Sequence, residues 1–286
     1  MLKLKLKPNA AIEITKAPLK YNKQLALSFT LDDGYRSAFL CAYPLLNGGQ
    51  ISPAYVDGWG KDQGGDGSVS KGLYYSDGCG NHVPFKLALA VNASSFNDTR
   101  AERGNLNWDE MKTFYAAGWD VLNHSFRHST KHGTNYEAEV VENNEAIRNG
   151  LGFDLSHFVV PGGEADPGYD MEYAKAAFKN GLFSVATTSG AGPVIDVSKP
   201  LDLNKLIYNR TFLRSDTVSN NFALMNEQLK NIESLLARPG ATWYNEFSHG
   251  VGNDNLWGIS LTFPDFKHYM TMLAAKHGIA GDDRLW

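Results

Sequence analysis

Cysteine is scarce in this chain of 286 residues: Cys41 and Cys79 are the only two. They leave open either one disulfide, as in an exported protein, or two unrelated thiols. Charge of one sign is lacking too. The formal net charge is −4 and no Lys/Arg cluster occurs, which gives no support for nucleic-acid binding. No apolar run is long enough to span a bilayer. The start, MLKLKLK, alternates Lys and Leu and is not a signal peptide as written. The expected location is therefore exported (periplasmic or extracellular) if a targeting segment has been removed, and cytoplasmic otherwise. No G-x-G-x-x-G follows the first strong strand, which disfavours a Rossmann-type nucleotide enzyme. Internal repeats and low-complexity tracts are also absent.

What is present is enough apolar material for a large core, with 43% hydrophobic and 12% aromatic residues. Length alone suggests one or two domains, and α/β barrels often use 200–250 residues as one. Strand-like runs are expected at 11–15, 25–31, 85–91, 119–123, 157–160, 182–187, 206–212 and 241–248. Helical periods are expected at 36–46 (interrupted near Pro44), 108–117, 135–149, 169–180, 221–237 and 263–277. Asn107 and Glu110 offer a capping box for the second helix and Gly118 its stop. Thr134 with Glu137 and Gly150 bound the third, and Thr262 and Gly278 the last. Such alternation argues an α/β fold with a mainly parallel sheet or barrel. Residues 48–84, rich in Gly, Asp, Ser and aromatics, break the pattern, as a functional loop or an insertion does.

Four stretches carry chemistry. The run 25–34 ends in Asp32, Asp33 and Gly34, two adjacent carboxylates on the rim of a buried strand. Such a pair is costly unless something positive lies beside it, and a divalent metal is the simplest candidate; the plainer reading is a turn and helix cap. His124 and His128, four apart after a strand, form a two-imidazole clamp if the chain turns helical there. A lone HxxxH is otherwise structural. Imidazole plus carboxylate suits zinc, iron, cobalt or nickel better than calcium or magnesium. Pro161-Gly162-Gly163 is either a turn or a fixed backbone offering the Gly162 N–H to an oxyanion. His249, ending the last strand, is either a hydrogen-bonded structural residue or an acid. All four lie at C-terminal ends of expected strands, the rim where α/β barrels gather their sites.

On these residues the chain resembles the polysaccharide deacetylases with a NodB homology domain, carbohydrate esterase family 4. Thr30-Leu31-Asp32-Asp33-Gly34 stands for the motif T-F-D-D-G. His124-Ser125-Phe126-Arg127-His128 matches H-[ST]-x-x-H fully, and Phe247-Ser248-His249 stands for L-x-H. The motif R-x-P-Y becomes Val159-Val160-Pro161-Gly162, without the Arg that holds the catalytic carboxylate; Arg210 or Arg127 are substitutes from elsewhere. The fourth motif, an Asp with a Trp that steadies the catalytic His, is not located, and Asp196 is the only Asp in 184–196. The resemblance implies a distorted (β/α) barrel, one deacetylase domain over 1–286 with an irregular Gly-rich insertion at about 48–84.

It further implies a divalent metal, zinc before cobalt, nickel or iron, on Asp33, His124 and His128. Asp32 is then the base, Gly162 the oxyanion donor and His249 the acid, acting on an N- or O-acetylated glycan. Trp59, Tyr75, Trp257 and Pro161 are the expected substrate contacts, with loop packing the other reading of Trp59 and Tyr75 and a core role that of Trp257. Two other functions compete: hydrolysis of a small non-sugar amide or imide by the same fold, and a catalytically degenerate carbohydrate-binding protein. Oligomeric state is not legible.

Overall fold

The run Leu25-Ala-Leu-Ser-Phe-Thr-Leu-Asp32 alternates large apolar residues with small or polar ones, and a strand sends the two sets to opposite faces. Leu25, Phe29 and Leu31 pack outward into the main core, with Leu27 against it. Ala26, Ser28, Thr30 and Asp32 point the other way. This strand, β1 (Leu25–Asp32), lies near the centre of a nine-stranded sheet. The structure is a computed structural model and describes residues 17, 19–97, 104–162, 167–188, 192–202, 206–215 and 222–286. The strand expected over 11–15 lies outside them.

After β1 a π turn over Ala38–Ala42 leads into α1 (Tyr43–Asn47), with Pro44 in the first turn, where a missing N–H costs least. The expected break of helix 36–46 falls there. The segment over 48–84 is not structureless: β2 (Gly49–Gln50) pairs with β3 (Val69–Ser70), and β4 (Tyr74–Ser76) with β5 (His82–Pro84), both antiparallel. Then follow β6 (Ala88–Val91), α2 (Trp108–Ala116), β7 (Asp120–Asn123), α3 (Tyr136–Leu151), β8 (His157–Val159) and α4 (Pro167–Lys179). The chain continues through β9 (Ser184–Thr187), β10 (Val194–Asp196), β11 (Leu206–Asn209), β12 (Thr211–Phe212), α5 (Ala223–Leu236), β13 (Thr242–Ser248) and α6 (Phe263–His277). The capping box of Asn107 and Glu110 forms as expected. α3 is capped instead by Asn135 and stopped by Gly152. Gly150 is needed for a different reason, because a Cβ there would stand 2.1 Å from the Trp108 ring. Thr262 occupies the N-cap position of α6, but its hydroxyl bonds Asp265 and no helix N–H.

The sheet order is β10-β13-β1-β6-β7-β8-β9-β11, parallel except for β10. Its two edges meet. The expected strand 206–212 divides at Arg210: β11 pairs with β9, whereas β12 pairs with the upper half of β13, Phe212 opposite Phe247. The sheet is thus curled into a distorted barrel. Ala90, Leu122, Val159, Ala186 and Tyr208 pack together inside it, with Trp243 against them. Helices cover the outside, as parallel sheets require. On α6, Phe263, Phe266, Met270 and Leu273 form the buried stripe of a period-3.6 helix. Cys41 is buried and Cys79 exposed, and both are free thiols. Among the described residues no helix is long and apolar enough to cross a membrane.

One outer-facing position of β13 holds a carboxyl. Glu246 is fully buried, and the Tyr269 hydroxyl donates to it at 2.7 and 2.9 Å, with the Gln228 amide beside it. Burial pushes this carboxyl up to about 7, against the downward pull of those donors. In the unfolded chain it titrates near 4.5. Between these values the native state holds a proton that the unfolded state has lost. The stabilisation is therefore complete below about pH 4.5 and is lost as pH rises to about 7, on the order of 3 kcal/mol. Urea denaturation from pH 4.5 to 7.5 should show this decline, and Glu246→Gln should flatten it; parallel curves for the two proteins would contradict the assignment.

Candidate active site

β1, β6, β7, β8, β9 and β13 run in the same direction, so their C-terminal ends share one rim. The register puts Leu31 beside Ser248, Asp32 beside Ala90, Val91 beside Asn123, and Val159 beside Ala186. Asp32, Asp33, His124, Pro161, Gly162 and His249 therefore share that rim, each as the last residue of a strand or just past it.

Asp33 leaves the strand in the left-handed region (φ 70°), followed by Gly34 (φ 72°). The chain does not turn helical between His124 and His128. Ser125 (φ 63°) and His128 (φ 54°) are left-handed instead, and a loop brings the imidazoles to 5.0 Å between centroids. Left-handed non-glycine residues cost energy and persist where their surroundings over-determine them. Here buried asparagines do so. The Asn92 amide donates to the carbonyls of His124 and Ser125. Asn123 accepts from Ser125 N at 2.9 Å and from Asn143 at 3.0 Å, and Asn143 also donates to Val91 O. Arg127 N donates to Glu139 Oε2 at 2.7 Å, which anchors the same loop to α3.

The ligand atoms of Asp33, His124 and His128 lie within 4.8 Å of one another. His124 Nδ1–H donates to Val159 O at 2.9 Å. A carbonyl only accepts, so the neutral ring carries its lone pair on Nε2, 3.3 Å from Asp33 Oδ1. His128 Nε2 lies 3.2 Å from the same oxygen. That oxygen is buried and has no hydrogen-bond donor among the described residues. The His124 Nε2 lone pair and the Asp33 carboxylate oxygen thus face one another, with His128 Nε2 beside them, around a point that calls for positive charge. A tetrahedral zinc with bonds near 2.05 Å spaces its ligand atoms by about 3.3 Å. The donor set fits a divalent cation of the zinc type. The same proximity sets the titration: burial opposes it, yet the two imidazoles hold the Asp33 carboxyl well below the usual range. His128 is likewise raised above the usual imidazole value in spite of burial, through Asp33 and Asp32.

Asp32 points into the barrel and is gripped end-on by Arg210, Nη1 to Oδ1 and Nη2 to Oδ2, both at 2.8 Å. Both side chains are buried, and the guanidinium lies 4.0 Å over the Phe247 ring. The substitute for the missing arginine is therefore Arg210, delivered from the junction of β11 and β12. Arg127 is turned away, paired with Glu139 and Glu142. His249 Nδ1–H donates to Ile259 O at 2.9 Å, which leaves Nε2 for proton exchange. A backbone carbonyl thus steadies this ring. Asp196 lies elsewhere, exposed at the sheet edge and bonded to Ser198 and Lys199.

Of the four expected substrate contacts, Pro161 is buried at the rim. Trp59 and Trp257 stand in edge-to-face contact at 5.4 Å, both against Tyr35. Tyr35 follows Asp33 by two residues; burial and the nearby Asp33 charge push its hydroxyl pKa up. Tyr75 is not at the rim. It packs on Phe85 and lines a cavity of about 1160 Å³ with Leu27, Trp243 and Trp286, by the N-terminal ends of the strands. The hairpin β4–β5 carries it there. Tyr35, Asn92, Asn123 and Asn143 escape a sequence reading because nothing but position marks them.

Residues 81–182 match the family model described as polysaccharide deacetylase. That span holds His124 and His128, but neither the Asp32–Asp33 pair nor His249. No curated protein matches the chain in sequence. Among solved structures, a putative polysaccharide deacetylase from Mycobacterium smegmatis is 12% identical, over 99% of this chain and 91% of that one, with a TM-score of 0.50. IcaB from Ammonifex degensii is 16% identical over 36% of this chain and 48% of that one, with a TM-score of 0.31. The Streptococcus pyogenes deacetylase PplD in complex with acetate is 16% identical over 44% and 51%, with a TM-score of 0.35. The chain thus spans about half the length of these last two. At such identities the mycobacterial likeness shows the fold, a curled parallel sheet of the deacetylase type. The resemblance to polysaccharide deacetylases with a NodB homology domain, which are hydrolases acting on acetyl groups, is borne out.

Removing one member of a buried ion pair strands the other charge, at about 3–5 kcal/mol. Arg210→Met should lower urea stability by that amount at pH 7, and Asp32→Asn in addition should restore part of it. A loss below about 1 kcal/mol would show that Asp32 does not depend on Arg210.

Proposed function

We propose that this chain is a metal-dependent deacetylase that hydrolyses N-acetyl or O-acetyl groups on a glycan. The observation that carries this is the meeting, on one rim, of a carboxylate–bis-imidazole cluster, an arginine-held carboxylate and a histidine with a free Nε2. On this reading the chain forms one deacetylase domain in which 48–84 is an insertion.

Asp33, His124 and His128 hold the cation, with zinc favoured by the ligand chemistry and cobalt, nickel or iron as substitutes. The chemistry such a cation supplies when bound is polarisation of an acyl oxygen and acidification of water. Asp32 takes the proton of the attacking water; Arg210 occupies one lone pair on each carboxylate oxygen and so fixes its direction while leaving others to accept. The Gly162 N–H, on a backbone set by Pro161, donates to the developing oxyanion. A Cβ at Gly162 would stand 2.8 Å from Thr130 Cγ2, and its φ of 75° favours glycine. His249 Nε2 then gives a proton to the leaving nitrogen or oxygen. Acetate and a free amino or hydroxyl sugar result.

Two observations weigh against the competing functions. A degenerate carbohydrate binder was suggested by the missing arginine, and Arg210 supplies a guanidinium to Asp32. A small amide or imide would call for a lidded pocket, whereas Trp59 and Trp257, against Tyr35, are 39% and 53% exposed.

Acetate release from N-acetylglucosamine oligomers and acetylated xylan should require added zinc after chelation. Calorimetry should find one zinc equivalent in the wild type and none in His128→Ala. Asp32→Asn should lose about 10²–10⁴-fold in kcat, the usual share of a general base. Absence of divalent-metal binding by the wild type would sink the proposal.

A further inference from the structure

The barrel is filled toward its upper end and hollow at its foot. Leu122, Val159 and Tyr208 pack together inside it. At the foot the inward positions are small: Ala26 and Ser28 on β1, Ala88 at the start of β6, and Gly118 just before β7. Barrel interiors are ordinarily closed by bulky branched side chains. Here the small ones open a cavity of about 1160 Å³, at the end of the strands opposite the reacting residues. Ligand cavities commonly span about 300–1,000 Å³, so this one has room for a sizeable guest.

Its lining among the described residues divides in two. Trp243 closes one side, and its indole N–H, the ring's single donor, is engaged at 2.8 Å by Ser28 Oγ, so the rest of the ring is an apolar wall. From the foot the cavity passes round β1 to the outer face, where Phe29, Met270 and Leu273 line it. These three are almost wholly buried. Tyr75, tilted against Phe85 at 5.7 Å, and the partly exposed Trp286 continue the wall outward.

The exposed part of the lining is cationic. Lys20, Lys86 and Lys199 all reach it from the surface. Lys20 Nζ stands 4.8 Å over the Tyr21 ring, and Lys199 pairs with Asp196 at 3.0 Å. Asp120 also faces the cavity; burial raises its carboxyl, and the nearby His157 and Lys86 pull it back. Three ammonium groups thus outnumber two carboxylates at the opening. An apolar depth under a positive opening suits a molecule with an apolar tail and an anionic head, because the tail leaves water while the head keeps its charge at the surface. Walls that face open space also forgo contacts that a packed interior makes, and an alkyl tail supplies them.

We propose that this cavity is a second binding site, for a single-tailed anionic amphiphile whose tail lies between β1 and α6 and whose carboxylate or phosphate meets Lys20, Lys86 and Lys199. The site is separate from the deacetylase centre and does not depend on that reading.

The test titrates the full chain by calorimetry with octyl, decyl and dodecyl phosphate, with laurate and with dodecyltrimethylammonium, each below its critical micelle concentration. One equivalent of the anionic amphiphiles should bind, about threefold to fourfold tighter for each added CH₂. The phosphate and laurate arms decide which head is preferred. Dodecyltrimethylammonium should bind at least about tenfold more weakly, and Lys20→Glu with Lys86→Glu should cost the anions about tenfold. Ala88→Leu, which places apolar bulk in the cavity, should weaken every member of the series. Tyr75→Ala alters only the half-buried wall, so it tests the same site should Ala88→Leu fail to fold; it should keep the melting midpoint and lose about fivefold in affinity. No binding by the wild type, equal affinity for the anion and the cation, or binding unchanged in Tyr75→Ala and in folded Ala88→Leu would overturn the assignment.

Discussion

A single buried ion pair, Asp32 with Arg210, ties the site to the fold. Asp32 closes the inward-facing row of β1, and Arg210 occupies the one residue between β11 and β12. Those two strands pair with opposite edges of the curled sheet, so the guanidinium sits on the seam where the sheet comes round on itself. Two charges this deep in the protein are tolerable only as a well-formed pair. The fork geometry, the facing distances of 2.8 Å and the Phe247 ring beneath the guanidinium meet that requirement. The pair therefore holds a carboxylate in one orientation and pins the closing segment of the sheet.

The Asp33–His124–His128 cluster next to it depends on strain held in place by hydrogen bonds. Asp33, Ser125 and His128 all adopt left-handed backbone. Each conformation is unfavourable by itself, and each turns a ligand, or the loop that carries one, toward a common point. The compensation comes from Asn92, Asn123 and Asn143, amides buried between β6, β7 and α3. Their several donors and acceptors satisfy carbonyls and N–H groups that a loop would otherwise bury unpaired. A polar core of this kind is rigid when complete, which keeps the Asp33, His124 and His128 side chains at fixed spacing.

Much of the fold was legible from periodicity. The strand–helix alternation and the ends of β1, β13, α2 and α6 follow from apolar spacing and from Gly and Asn signals at the boundaries. The failures have identifiable causes. Gly150 reads as a stop because glycine usually ends helices, but here it clears the Trp108 ring. The residues over 206–212 read as one strand because β propensity is blind to which neighbour a strand pairs with. A spacing of four would bring His124 and His128 together on a helix, and a strained loop brings them together instead. Tyr75 reads as a rim residue because its loop begins at the rim, yet the β4–β5 hairpin carries it to the opposite end.

The sequence by itself determined the α/β class, the strand ends that bear Asp32, Asp33, His124, His128 and His249, and the ligand chemistry that favours a zinc-type cation. These are local properties: period, turn residues and side-chain donor types. The tertiary structure alone decided that Arg210 and not Arg127 meets Asp32, that a backbone carbonyl steadies His249, and that Trp59 and Trp257 stand together against Tyr35. Each of these is a contact between residues far apart in the chain. Which distant residues meet depends on how the whole sheet curls and closes, and no local pattern encodes that.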